Sequence, residues 1–283
     1  MQKQGYREST TQSSVQALKG IARRANLLDP ESAKTYLALA EVSENRKGKL
    51  ADDLARFYRY MRIHFEKPHY KRVDTIPFLP LEAEVDQLIA GVGKKTAAFL
   101  RLLKETGMRP GEAWNLKWTD IDSERANVTV TPEKGSKARR LKVSSQLLAM
   151  MNQLPHGWEF VFRNPSIDPL RSMKCHRKNF EKQRRRVALR LQNSRIGNIG
   201  FKTLRHWKAT TEYQRTRDIL HVMQTLGHKN IRSTLVYTHL VSFESDEYVC
   251  KVAKTVSEAK ALVEEGFDYV TDAEGLKLFR KRK

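Results

Sequence analysis

The feature that most constrains the fold is a break in the chain at residues 66–80. This segment, EKPHYKRVDTIPFLP, contains three prolines and has no regular spacing of apolar residues. Proline lacks a backbone donor and disfavours helix at the residue before it, so such a segment is typical of a linker. We therefore predict a polar, mobile N-terminus at residues 1–14, one domain at residues 15–65, a linker at 66–80, and a second domain at 81–283.

The first predicted domain has a helical pattern. Asp29 followed by Pro30 indicates the start of one helix, and Ser43 the start of the next. In that later helix apolar residues recur at helical spacing, with basic residues between them. The apolar residues are Leu50, Leu54, Phe57, Tyr58 and Met61. The pattern is compatible with a small bundle that has a solvated charged face, and also with a DNA clamp.

The second predicted domain combines helices with a hairpin. A helical pattern begins at Glu82 and ends at Gly107, and Pro110 opens another that runs to about Leu116. Residues 127–131 and 140–144 alternate apolar and polar side chains around the turn segment PEKGSKA, which predicts two antiparallel strands. Beyond residue 174 we predict mainly helices. The fold class is therefore mainly α with a small antiparallel β-sheet (α+β).

The C-terminal segment contains two further predicted elements. Residues 249–262 carry apolar side chains at helical spacing, which predicts a helix that packs either on a neighbouring protomer or on its own domain. A short hairpin is predicted at residues 267–278, with its turn near residues 272–275.

The charge balance indicates a polyanionic partner. The chain has 53 basic and 32 acidic residues, a formal net charge of +21. Nucleic acid is the leading candidate, although charge alone also fits a ribosome-associated or membrane-surface protein. The most basic stretch, residues 171–208, has 13 Lys or Arg and one acid. A solvated face is the usual meaning of such a run, but charge of one sign favours a DNA-facing surface.

Several classes of protein are disfavoured by what the sequence lacks. The two cysteines have no metal-ligand spacing, and no GxxxxGK[ST] phosphate loop is present, so we predict no metal, no nucleotide and no other cofactor. No apolar run of about 18 residues or apolar signal core occurs, so we predict no membrane partner and a cytoplasmic location.

Three motifs stand in order in the second domain. They are TGMRPGE at residues 106–112, KTLRHWKAT at 202–210, and LGHKNIRSTLVYTH at 226–239. Taken singly, each has an ordinary explanation as a helix junction, a surface pair or a loop beside a core aromatic. Their joint order and spacing is a far more specific signal than any one of them.

Together with the hairpin lysine, these motifs closely resemble the signature boxes of tyrosine recombinases. Arg109 and Lys134 are 25 residues apart, and His228 and Tyr237 are nine apart, as in that family. The resemblance covers residues 81–239, and the preceding helical segment also resembles the family's core-binding domain. It implies cleavage and rejoining of double-stranded DNA at attachment sites, through a 3′-phosphotyrosyl link, by a homotetramer.

The resemblance also implies a role for each motif residue. Arg109 and Arg205 bind the non-bridging phosphate oxygens, for which a planar guanidinium is well suited. Tyr237 is the nucleophile. His228 donates a hydrogen bond to the phosphate. Lys134 protonates the leaving 5′ oxygen as general acid.

Two further residues near these positions bear on the assignments of Lys134 and Arg109. Lys137 is a competing general acid, because it shares the hairpin turn with Lys134. Glu112 is expected to orient Arg109 rather than to carry a proton.

One position departs from the commonest family pattern. Where most members have histidine, three residues before Arg205, this chain has Lys202. Lysine can hold a phosphate oxygen but is a poorer base than histidine near neutral pH. The variant resembles integrases of archaeal viruses and plasmids. It leaves open which group accepts the proton of Tyr237, whose free pKa is about 10. His206, next to Arg205, is expected to pack or to support the site indirectly.

Two alternative functions share some of these features. A topoisomerase that cuts one strand through a tyrosine shares the chemistry without the tetramer, but the helical N-terminal domain resembles integrases more. A non-catalytic DNA-binding protein is disfavoured because the full set of catalytic residue types is present. An RNA-binding protein has no RNA-reading motif to support it.

Overall fold

The computed structural model describes residues 5–71, 75–133, 135–238, 248–273 and 276–282. The chain divides into two compact units, residues 1–76 and 77–283. The division falls within the segment predicted as a linker.

The N-terminal unit consists of three helices, α1 (Glu8–Ala22), α2 (Pro30–Leu39) and α3 (Glu44–Met61). Helix α1 corrects the prediction of a mobile stretch at residues 1–14, because it begins at Glu8. Its polar sequence conceals a buried contact: Ser14 is buried and donates a 2.7 Å hydrogen bond to the buried carboxylate of Asp53. A serine at a core position lacks the apolar signal on which the prediction depended.

The other two helix starts were predicted correctly. Asp29 caps α2 by accepting from the backbone of Glu31, with Pro30 in the first turn. Ser43 caps α3 by accepting from the backbone N–H of Arg46. The buried face of α3 forms the core of the unit, and Ile63, Phe65 and Tyr70 pack against that core. The first part of the predicted linker therefore packs on the N-terminal unit.

The larger unit begins with helices and a small sheet. Its elements up to the third motif are α4 (Glu82–Gly91), α5 (Lys94–Thr106), α6 (Pro110–Trp114), β1 (Ile121–Asp122), β2 (Asn127–Val130), β3 (Arg139–Lys142), α7 (Ser145–Asn152), α8 (Pro169–Arg190), α9 (Phe201–Thr216), α10 (Ile219–Leu226) and α11 (Arg232–Leu235). The predicted hairpin is confirmed as β2 and β3, which pair antiparallel. The two-residue strand β1, which adds to β2, was not predicted.

Helix α5 is the centre of this unit. Phe99, Leu100, Leu102 and Leu103 are fully buried, and the ring of Phe99 makes edge contacts with aromatic side chains of α6, α8 and α9. The helix ends at Gly107, whose φ of +61° is a left-handed conformation that favours glycine. This turn fixes where the first motif leaves the core.

The basic stretch of α8 and α9 is less uniform than predicted. Arg184 donates to the carbonyl of Ile199, and Arg205 is buried. Five of the exposed basic residues of α8 lie on the side opposite its buried residues. They are Arg171, Lys174, Lys178, Lys182 and Arg185.

The C-terminal segment folds as β4 (Tyr248–Ala253), α12 (Val256–Glu264), β5 (Asp268–Ala273) and β6 (Leu276–Arg282), with strand order β4-β6-β5. The predicted hairpin is confirmed as β5 and β6. The predicted helix at residues 249–262 is wrong in its first half, which is strand β4. Thr255 caps α12 by accepting from Glu258, and Leu262 packs on Ala253 within the same segment.

Among the residues that the structure describes, no helix has the length and hydropathy to cross a membrane. Nor does that part of the chain contain a group of three or more His, Cys, Asp or Glu side chains able to hold a metal ion.

Candidate active site

Three segments that are distant in sequence meet at Arg205. This residue lies on α9 and is 6% exposed. Its guanidinium donates to the carbonyl of Gly107 at 2.7 Å and to the carbonyl of Leu226 at 2.8 Å. Gly107 belongs to the first motif and Leu226 to the third, so one buried side chain of the second motif joins all three.

Arg109 lies beside Arg205, and hydrogen bonds to Glu112 hold it in place. Its backbone N–H and its guanidinium both donate to the carboxylate of Glu112, at 2.9 Å and 3.2 Å. Burial, and next the positive charge of Arg109, lower the pKa of Arg205 to about 10. The repulsion between the two guanidinium groups favours an anion between them.

Glu112 is the centre of an ionic network at the base of the site. Its side chain is fully buried and accepts from Ser136 at 2.5 Å and from Arg139 at 2.8 Å, in addition to Arg109. Burial by itself would raise the pKa of Glu112, but the hydrogen bonds from Arg139, Ser136 and Arg109 lower it to about 2. Glu112 is thus an ionised anchor, the kind of orienting acid expected from the sequence.

The same network fixes the β2–β3 hairpin. Arg139 also donates to the carbonyl of Thr225 at 2.8 Å, and the backbone N–H of Lys137 donates to Gly227 at 3.1 Å. A Cβ on Gly227 would come within 2.7 Å of the Arg139 guanidinium, so the close approach needs glycine. Lys134 itself lies outside the described residues. Lys137 is exposed.

His228 lies close enough to Arg205 and Arg109 for their positive charge to affect its pKa. Its Nδ1 is 2.9 Å from the hydroxyl of Thr234, which is fully buried. Burial, followed by the charges of Arg205 and Arg109, lowers the pKa of His228 to about 4. The ring is therefore neutral at pH 7. With Thr234 donating to Nδ1, Nε2 carries the hydrogen and can serve as a donor.

Tyr237 lies two residues beyond the end of α11 and is 3% exposed. It packs in a small apolar cluster with Ala209, Val222 and Leu226. Burial raises the pKa of Tyr237, while the charges of Arg205 and Arg109 act in the opposite direction. The phenol is thus within electrostatic reach of both arginines.

The residue that sequence reasoning underrated is His206. Its Nδ1 is 3.1 Å from the hydroxyl of Tyr237. Lys202 is exposed and lies one helical turn earlier on α9. Residues four apart on a helix lie on the same face. The spacing of Lys202 and His206 in the second motif was therefore the sequence signal for His206.

The structure thus describes five of the six residues predicted from the sequence. Arg109, Arg205, His228 and Tyr237 lie close enough that the charge of one affects the protonation of another. Lys202 lies at the edge of this group and affects it through His206. Two arginines, a neutral histidine donor and a tyrosine are a set of groups that can bind a phosphodiester and attack it.

Comparison with known proteins gives one family. A model of the phage integrase family matches residues 81–242. The chain is 30% identical over 182 residues to the tyrosine recombinase XerA of Pyrococcus furiosus, a match that covers 62% of each protein. It is 24% identical over 287 residues to a probable integrase/recombinase of Methanocaldococcus jannaschii, covering 88% of this chain and 87% of that protein.

Solved structures share the fold. The integrase of transposon Tn1549, in complex with transposon right-end DNA, has a TM-score of 0.63 at 15% identity and covers 92% of this chain and 94% of its own. A lambda integrase dimer bound to a core site has a TM-score of 0.63 at 15% identity, with coverage of 85% and 92%.

Proposed function

Because the chain belongs to the phage integrase family, we propose that it is a site-specific DNA recombinase that cleaves and rejoins DNA through a 3′-phosphotyrosyl bond to Tyr237. The observation that carries this proposal is the meeting of the three motifs at Arg205. Arg109 and Tyr237 lie in the same electrostatic environment. A non-catalytic DNA-binding protein would have no need to bury a tyrosine beside two arginines.

In the proposed reaction, the oxygen of Tyr237 attacks the phosphorus and the bond from phosphorus to the 5′ oxygen breaks. The leaving 5′ oxygen takes a proton from Lys134. Arg109, Arg205 and His228 donate to the non-bridging oxygens, where negative charge accumulates in the transition state. Religation is the reverse reaction. Since the phosphotyrosyl link keeps the energy of the broken bond, no nucleotide is consumed.

Lys202 is the sixth residue of the proposed site. It is exposed one turn before His206 and provides a further positive charge at the edge of the phosphate position. We assign it to phosphate binding, because an ammonium group at neutral pH is a donor rather than a base.

The proposed substrate is double-stranded DNA at attachment sites of a mobile element. The net charge of +21 and the exposed basic residues of α8 support a DNA partner. An archaeal virus or plasmid is proposed as the source of the element because Lys202 resembles a variant found in such integrases, while relatives of the chain come from archaea and bacteria alike. Recombination of two duplexes requires four cleavages, which a homotetramer supplies, and we place the reaction in the cytoplasm with the DNA.

The proposal is tested by covalent trapping. Duplexes that the protein selects from a random library are nicked beside the candidate cleavage position, so that the leaving strand diffuses away. A denaturing gel should show a protein–DNA adduct with the wild type and none with Tyr237→Phe. Tyr213→Phe is the matched control, because Tyr213 packs against the same apolar cluster, and it should keep the adduct.

Each other outcome has a defined meaning. An adduct that persists in Tyr237→Phe would assign the nucleophile to another residue. Tight binding to the selected DNA without any adduct would indicate a non-catalytic DNA-binding protein. Cleavage without exchange between two labelled sites would favour a topoisomerase, although the relatives are named recombinases and integrases.

A further inference from the structure

The nucleophile needs a group that accepts its proton. Tyr237 is 3% exposed, so its hydroxyl has little access to bulk water. A phenol with a raised pKa is a weak nucleophile until a base within hydrogen-bond reach removes its proton. Such a base is a general requirement of the chemistry, whichever DNA sequence is bound.

His206 meets this requirement by position. Its Nδ1 lies 3.1 Å from the oxygen of Tyr237, and the two ring centroids are 5.7 Å apart with the planes tilted by 51°. The hydrogen bond therefore joins the rings at their polar atoms. Burial, and then the charges of Lys202 and Arg205, lower the pKa of His206 to about 4, so the ring is neutral at pH 7 and has a lone pair to offer.

The other polar groups of the site are poorer acceptors. The guanidinium groups of Arg109 and Arg205 have donors but no acceptor to offer. Lys202 is an exposed cation. The Nδ1 of His228 is engaged by Thr234 instead of by the tyrosine.

We propose that His206 is the catalytic base, which takes the hydroxyl proton of Tyr237 onto Nδ1 as the tyrosine oxygen bonds to phosphorus. The bond to the 5′ oxygen then breaks, and that oxygen is protonated by the general acid. In religation His206 returns its proton to the departing tyrosine oxygen, so no proton is gained or lost over the cycle. This inference rests on the proposed recombinase function, and it fills the role that Lys202 leaves vacant.

The surrounding charges make the base dependent on substrate. Lys202 and Arg205 on α9, and Arg109 at the start of α6, surround the Tyr237–His206 pair with positive charge. In free protein that charge opposes protonation of His206. A phosphodiester that docks between the arginines offsets it, so that His206 becomes more basic when there is a phosphate to attack.

The test separates removal of the tyrosine proton from protonation of the leaving 5′ oxygen. Cleavage rates are measured on a normal duplex and on one whose 5′ bridging oxygen is replaced by sulfur, a leaving group that needs no general acid. His206→Asn places an amide oxygen near the position of Nδ1, so it can accept the tyrosine hydrogen bond but cannot take the proton. His206→Gln serves as a second variant if His206→Asn lowers the melting temperature.

We expect His206→Asn to bind DNA like the wild type and to cleave both duplexes about 10²–10⁴-fold more slowly, the usual range for loss of a general base. Lys134→Ala should be slow only on the oxygen substrate. His221→Asn is the matched control: the partly exposed ring of His221 contacts Glu212 instead of Tyr237, and its variant should cleave normally.

Three results would overturn the proposal. Cleavage by His206→Asn at the wild-type rate would limit His206 to orienting the tyrosine. Rescue of His206→Asn by the sulfur substrate would assign His206 to the leaving group. An absence of adduct with the wild-type protein on either duplex would reject the recombinase function, and the role of His206 with it.

Discussion

The two halves of the site are built in opposite ways. The phosphate half (Arg109, Glu112, Arg139 and Arg205) is a network of charged groups, each anchored to a carboxylate or to backbone carbonyls. The tyrosine half is the apolar cluster around Tyr237, in which the contact of its hydroxyl with His206 is polar.

This difference follows from what each half must do. A buried charge is costly unless its partners are fixed, so the phosphate half has to be rigid before DNA arrives. The tyrosine must approach the phosphorus and then leave it, and apolar contacts are non-directional enough to allow a small shift. We therefore expect substitutions in the phosphate half to affect stability and chemistry together, and substitutions of the apolar residues packed around Tyr237 to affect both less.

The largest combined effect on stability and cleavage is expected for Arg205→Ala. The change leaves the carbonyls of Gly107 and Leu226 without their donor and removes a phosphate ligand. We expect cleavage to fall at least about 10²–10³-fold and the free energy of unfolding to fall by about 2–6 kcal/mol, since each carbonyl left without a donor costs about 1–3 kcal/mol. Adduct formation and urea denaturation measure the two losses. Arg185→Ala, at an exposed position of α8, is the control for stability.

An Arg205→Ala protein as stable as the wild type would break the comparison. It would mean that the apolar core around α5 alone holds the three motifs together.

The next effect is the pH dependence of stability, through Glu112. Its pKa of about 2 in the folded protein lies below the usual value near 4.3 in an unfolded chain. The stabilisation is therefore complete above about pH 4.3 and is lost as the pH falls toward 2. We expect Glu112→Gln to be less stable by about 2–3 kcal/mol at pH 7, and to lose less stability than the wild type on acidification.

Urea denaturation at a series of pH values measures both quantities. Parallel curves for the wild type and Glu112→Gln would show that Glu112 is not the group whose protonation weakens the fold. Glu258→Gln, at an exposed position in the first turn of α12, is the control and should keep the wild-type slope.

A smaller effect is expected in the tyrosine half for Val222→Ala. Val222 is fully buried beside Tyr237, and the change removes two methyl groups. We expect a loss of about 2 kcal/mol in the free energy of unfolding, and a several-fold slower cleavage with unchanged DNA affinity. Val252→Ala is the control, because Val252 is exposed on β4. A change in DNA affinity as large as that in cleavage would show that the two halves are not separable.

What the sequence could predict depends on whether a feature is set by neighbouring residues or by contacts that the tertiary fold creates. The residues of the three motifs were found because the motifs, in their order and spacing, resemble those of a known family, and the hairpin was found because alternation within a strand is a local pattern. The bond between Arg139 and Glu112 joins positions 27 residues apart, and nothing near either residue indicates the other. Partners brought together by the tertiary fold are not encoded in local periodicity.

Prediction from local patterns also failed where one pattern fits two different structures. In residues 249–262, apolar side chains fit both a helix and a strand followed by a helix, and the cap at Thr255 was the signal that separates the two. His206 was assigned to packing or to indirect support of the site, because a histidine beside an arginine has no specific meaning until the fold places Tyr237 against it.

The smallest effect is expected where the two halves meet, at Thr234→Val. The hydroxyl of Thr234 fixes one nitrogen of His228, and valine keeps the shape of the side chain without the donor. We expect a stability loss of about 1 kcal/mol and a few-fold slower cleavage, because the His228 ring is no longer held in the form that donates to the phosphate. Thr211→Val, on the exposed side of α9, should change neither quantity. A loss of cleavage as large as that of Arg205→Ala would mean that the position of His228, rather than the buried arginine, limits the rate. Thr234 would then belong to the rigid half of the site, and the division into a rigid and an adjustable half would have to change accordingly.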